Sequence, residues 1–88
     1  MKLALVVPGG VDRSGEVRVI PVFLTLIEWL ARSHEVHVFV LHQEPLPATW
    51  SLRGAKVHNI GAHRTRLRAI AAIGDEHRRA SFDVIQAI

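Results

Sequence analysis

Leu3-Ala4-Leu5-Val6-Val7-Pro8-Gly9-Gly10 is an apolar run closed by a turn. Five consecutive apolar residues with no polar alternation describe a strand covered on both faces, as at the centre of a parallel sheet, and Pro-Gly-Gly stops it. A polar loop follows, and then Ile20 to Arg32 reads as a helix. Pro21 suits its first turn, and polar side chains fall only on the stripe Thr25, Glu28 and Arg32. A helix so apolar needs cover from a sheet on one side and from something else on another.

Working outward, Glu35 to Leu41 alternates Val36, Val38 and Val40 with His37, Phe39 and Leu41, which gives a second strand. Pro45, Pro47 and Gly54 mark a loop. Ala55 to Ile60 is shorter and carries Lys56, His58 and Asn59, the composition of a protected outermost strand. His63 to Arg79 reads as a second helix with Leu67, Ile70, Ala71 and Gly74 as its buried stripe, and Phe82 to Ile88 as a fourth strand. Crossings of a dozen or more residues join these strands, so the expected fold is α/β. It is a parallel sheet of order 3-2-1-4 with flanking helices, the first half of a doubly wound domain. No helix, cap or polar tail follows the fourth strand. The expectation is therefore a truncated domain, residues 1–88 being the opening part of a larger protein.

Composition narrows the class. Eighty-eight residues make one small domain that buries about 60–65% of its unfolded surface. An apolar fraction of 49% with 22% charged residues excludes disordered, collagen-like and coiled-coil chains. The absence of cysteine removes disulfides, thiolate metal sites and cysteine nucleophiles. Met1 to Pro8 is too short for the apolar core of a signal peptide, and Val19 to Leu30 is broken and too short to span a bilayer, so a cytoplasmic location is expected. The net charge of +3, mostly arginine, suits an anionic ligand or peripheral contact with a membrane surface and gives no ground for nucleic acid as partner.

Ligands of open α/β sheets bind beyond the carboxyl ends of the strands. That directs attention to Pro8 to Val19, His42 to Gly54, and Gly61 to Arg66. Gly9, Gly10 and Gly15 precede a helix N-terminus, where backbone N–H groups hold a phosphate or polar sugar; the alternative is that they only make the turn. Their spacing is not the Gly-x-Gly-x-x-Gly of dinucleotide sites, no Gly-Lys-Ser/Thr occurs, and the first strand ends without the aspartate of a phosphoacceptor. Arg13 and Arg18 lie in the same loop. His42 would face the cleft or stand in a solvated loop. Arg64, with Arg66 and Arg68, would line an anion site or a solvated helix face. Trp50 would stack on a sugar, dip into a membrane surface, or cap the core beneath its loop. His34 and His37 point to opposite strand faces with no acid at ligand spacing, so no metal site is expected.

The stretch Leu24-Thr25-Leu26-Ile27-Glu28-Trp29-Leu30-Ala31-Arg32-Ser33-His34-Glu35-Val36-His37-Val38 resembles the helix-turn-strand of group-1 glycosyltransferases of GT-B architecture. The glycine loop and Phe82-Asp83-Val84-Ile85 fall in the corresponding order. The resemblance implies a Rossmann-like N-terminal domain on the acceptor side of a two-domain enzyme. Such an enzyme moves a sugar from a nucleotide-sugar donor to an acceptor, with no further cofactor. It also implies that Gly9, Gly10 or Gly15 approaches the donor's phosphates, that Arg13, Arg18, His42, Trp50 and Arg64 are candidates for the cleft, and that the donor's main ligands lie in a C-terminal domain. Residues 1–88 alone would then be inactive. The alternatives are a non-catalytic ligand-binding module and a structural or assembly module, with self-association through the edge of the fourth strand.

Overall fold

A computed structural model describes all 88 residues. In chain order the elements are β1 (Lys2–Val7), α1 (Pro21–Ala31), β2 (Glu35–Val40), β3 (Ala48–Leu52), β4 (Ala55–Asn59), α2 (Thr65–Arg79) and β5 (Val84–Ala87). β1 runs parallel to β2 and to β5, and β2 runs parallel to β4. β3 pairs antiparallel with β4. The result is a mixed five-stranded sheet of order β3-β4-β2-β1-β5 with two helices.

Two expectations are corrected here. The sheet is five-stranded and mixed, not four-stranded and all-parallel, because Ala48–Leu52 joins it and displaces Ala55–Asn59 from the outermost place; the four expected strands stand as Ala55–Asn59, β2, β1 and β5, each parallel to its neighbour. A two-residue hairpin makes this possible: Arg53 at φ 52° and Gly54 at φ 87° supply the two positive φ angles that match the twist of the flanking strands. The second correction concerns α2. Leu67 and Ile70, expected inside, are each 69% exposed, while Ala69 is buried and Ala72 and Ile73 pack on the sheet. Polar anchors set this rotation. The Arg68 guanidinium donates to the carbonyls of His63 and Ile60, and Glu76 meets Lys2 at the far end of the helix.

The sheet's two faces carry different cores. On one, Leu3, Leu5, Val7, Val36, Val38, Val40 and Val57 pack with Leu24 and Ile27 of α1. On the other, Ala4, Phe39 and Phe82 meet Ala72 and Ile73 of α2. Period-2 alternation along β1 and β2 therefore feeds both layers, which is why neither strand shows a polar stripe. No helix is long and apolar enough to cross a membrane.

Candidate functional site

The loop from Pro8 to Ile20 leaves the carboxyl end of β1 and returns to start α1. An isolated antiparallel bridge joins Val11 to Val19, and the Ile20 amide donates to the Gly10 carbonyl. At Gly10, φ is +84° and a Cβ would lie 2.7 Å from Ile20 side-chain carbons, so only glycine lets the loop close against the helix start. α1 begins at Ile20 with no side-chain cap, Pro21 in its first turn and no acidic residue there. Its positive end is uncompensated.

Most of the loop's polar groups are already engaged. Val11 N–H donates to Gln43 Oε1, Gly15 N–H to the Asp12 carbonyl, and Ser14 N–H to Asp12 Oδ2. Ser14 Oγ accepts the amides of Glu16 and Val17. The amides of Gly9 and Gly10 have no acceptor within the chain. Among the three candidate glycines, then, Gly9 and Gly10 lie beside the helix start with N–H groups free. Gly15, at φ +70°, serves the Asp12 turn.

The arginines are paired. Arg13 makes a two-pronged bond to Glu44, Nε to Oε2 at 2.7 Å and Nη2 to Oε1 at 2.6 Å, and stacks over Trp50 with its guanidinium carbon 4.8 Å from the ring centre. Arg18 donates to Oδ1 of buried Asp12 at 2.7 Å. Hydrogen bonding to Arg13 holds the Glu44 carboxyl below its usual range and the Arg13 guanidinium above its own. Asp12 is held low by the Ser14 hydrogen bonds and the charges of Arg18 and Arg13, against the opposing effect of burial. Trp50 donates its indole N–H to the Val11 carbonyl and packs on the core, so it caps the core beneath the loop. His42 is exposed, just after β2, with its amide on the Pro8 carbonyl. Arg64 is exposed in left-handed conformation at the start of α2, and its side chain makes no hydrogen bond or ion pair. The geometry thus collects Gly9, Gly10, Arg13, Arg18 and Trp50, with His42 on the neighbouring strand end; Arg64 belongs to the separate start of α2.

Three residues of this assembly escaped the sequence reading: Asp12, Gln43 and Asn59. Asp12 and Asn59 are buried, and all three hold connecting segments together through side-chain to backbone bonds. Such roles leave no periodic trace; the one signal is a short polar residue at a strand end or turn, which favours local backbone bonding. The largest hollow, of about 550 Å³, lies elsewhere, between β3–β4 and α2, lined by Thr49, His58, Asn59, Arg68, Ala72 and Asp75 among others. Arg68 is committed to two backbone carbonyls there, so the hollow lacks a free cation.

At the amino end of the sheet a second polar cluster surrounds His37. His37 Nε2 lies 2.6 Å from Glu35 Oε2 and 3.7 Å from Glu76 Oε1, and its Nδ1 lies 2.9 Å from His58 Nε2. Burial, then the neighbouring His37, pushes His58 down to about 4. Glu76 is half-buried, which works to raise its carboxyl, yet the hydrogen bond and charge of the Lys2 ammonium prevail and hold it low. The sequence reading paired His37 with His34 and saw no converging acid; the fold instead brings Glu35 from the same strand and Glu76 from α2. Compared with family models, curated proteins and solved structures, the chain gives no match.

Proposed function

We propose that the chain is the acceptor-side, Rossmann-like N-terminal part of a glycosyltransferase of GT-B architecture. Together with a C-terminal domain it would transfer a sugar from a nucleotide-sugar donor to an acceptor, with retention of configuration. The observation that carries this reading is the pair of free amides at Gly9 and Gly10, beside the uncapped positive end of α1 and beyond the central strand β1. Two amides and a helix end make a weak anion site alone and a useful one when a second wall supplies further ligands. Arg13 and Arg18 would then hold the loop in shape through Glu44 and Asp12 rather than grip the donor. Any peripheral membrane contact would fall on the outer face of α1, where Val22 and Trp29 are each 66% exposed.

Titrating the chain with uridine diphosphate and following amide NMR signals tests this reading. Shifts centred on Gly9, Gly10 and Val22, with a dissociation constant no tighter than about 1 mM, are expected, together with no sugar transfer by the chain alone. Shifts confined to other residues, or turnover by this chain, would overturn it. A second reading, an assembly module, draws on the exposed edge strand β5, whose four residues are all solvent-accessible.

A further inference from the structure

We infer that Glu35, His37 and Glu76 form a binding site for a divalent first-row transition metal ion, with His58 as the hydrogen-bond partner that sets the tautomer of His37. The site lies at the amino end of the sheet, where Glu35 pairs with Lys2 at the start of β1, and so is separate from the glycine loop and independent of the function proposed for it. One ligand atom from each of the three residues falls within 4.8 Å of the others. Metal–ligand bonds of about 2.0–2.2 Å place donor atoms roughly 3 to 3.5 Å apart, so the present distances of 2.6 and 3.7 Å need sub-ångström to ångström adjustments. Glu35 can supply them. Its side chain is 63% exposed, whereas His37 is 6% and Glu76 17% exposed, giving two fixed ligands and one movable ligand that faces solvent.

The hydrogen-bond geometry aims His37 Nε2 at the carboxylates and sets its Nδ1 2.9 Å from His58 Nε2. A metal ion on His37 Nε2 requires that nitrogen to carry no proton, and the imidazole then holds its proton on Nδ1 and donates it to His58 Nε2. His58 in turn carries its own proton on Nδ1. A ring nitrogen held by a second polar group is the usual support of a metal-bound histidine. The donor set of one imidazole nitrogen and two carboxylates suits zinc or cobalt rather than calcium or magnesium, which take oxygen ligands.

Lys2 is the competing cation. Its ammonium stands 3.3 Å from Glu76 Oε1 and donates to the carbonyls of Glu76 and Ala80. Because those two carbonyls hold Lys2 whether or not the carboxylate is shared, Glu76 can bridge the ammonium and the metal, with weaker affinity as the consequence. A micromolar rather than nanomolar site is expected.

The test is titration of the full chain with zinc, read by calorimetry and by nitrogen-15 NMR of the histidine rings, with cobalt absorption as a second probe. One ion per chain at micromolar affinity is expected, with the zinc-bound form carrying the His37 proton on Nδ1 and the His58 proton on Nδ1. Glu35→Gln changes an exposed side chain and should preserve the fold while weakening binding at least tenfold. His63→Ala, an exposed histidine outside the cluster, should leave it unchanged. Binding that is unaffected by Glu35→Gln, or a zinc-bound form in which His37 Nδ1 carries no proton, would overturn the assignment, as would no binding below about 1 mM.

Discussion

Asn59, the last residue of β4, clasps Glu44 from both sides: its side-chain oxygen accepts the Glu44 amide at 3.2 Å and its nitrogen donates to the Glu44 carbonyl at 3.0 Å. The same carboxamide accepts from the Gln43 amide and donates to the Leu46 carbonyl. One buried side chain therefore fixes the turn that presents Glu44 to Arg13 and, through Gln43, the glycine loop. Asn59→Ala is expected to cost about 2–4 kcal/mol, several hydrogen bonds at about 1 kcal/mol each plus the desolvated groups left behind. Urea unfolding measures it. A loss under about 1 kcal/mol would mean that water replaces the carboxamide.

The hairpin turn offers a change in the other direction. Arg53 sits at φ 52° in the first central position of a two-residue turn, a conformation that Asn tolerates better than Arg. Its ion pair with Glu28 is long, at 3.8 Å, and exposed, so little is lost with it. Arg53→Asn should stabilise the chain by about 0.5–1 kcal/mol, seen as a rise of a few degrees in the thermal midpoint. A fall in the midpoint would show that the long ion pair outweighs the backbone gain.

The contrast between β1 and β3 explains what could be read from the sequence. β1 was legible because burial on both faces leaves Leu3 to Val7 an unbroken apolar run, and β2 because the β-branched Val36, Val38 and Val40 recur at every second position on one buried face. β3 was not, since Thr49 and Ser51 face solvent at an edge and Arg53 hides a turn that Asn-Gly would have announced. For α2 the apolar stripe misled: Leu67 and Ile70 outrank Ala69 and Ala72 in hydrophobicity, but the small alanines fit against the sheet and the polar ends of Arg68 and Glu76 reach backbone carbonyls and Lys2. In the candidate site, the glycines were visible from their residue type. The Asp12–Arg18 and Arg13–Glu44 pairs were not, because they depend on two loops meeting in space.

Acid should loosen the glycine loop. The folded-state pKa of Asp12 is lowered, by hydrogen bonds from Ser14 first and by Arg18 and Arg13, so its contribution to stability is full above the unfolded carboxyl value of about 4. That contribution is lost as pH falls through the lower folded value. Glu44 shifts in the same direction and adds to the effect. Asp12→Asn keeps an acceptor for the Ser14 amide but removes the titration, and is expected to reduce the acid dependence of the unfolding midpoint between pH 5 and pH 2. An unchanged acid limb would place the titration in other carboxylates.

The edge opposite the hairpin is the place where the chain should meet a second copy of itself. β5 pairs with β1 on one side only, and neither helix covers it: Val84, Ile85 and Ile88 are 45%, 50% and 48% exposed. Ile85 also lines a shallow apolar hollow with Ile70, Ile73, Gly74 and His77, so an added strand would gain side-chain burial on the α2 face as well as main-chain bonds. α1 adds exposed Val22, Leu26 and Trp29 on the other face. The chain is therefore expected to dimerise or assemble further at micromolar concentration, through Phe82 to Ile88 or the outer face of α1. Sedimentation velocity distinguishes the two routes. Ile85→Lys should return the chain to monomer if β5 is the interface, whereas Trp29→Lys should do so if α1 is, and a wild-type chain that stays monomeric at hundreds of micromolar would rule out both.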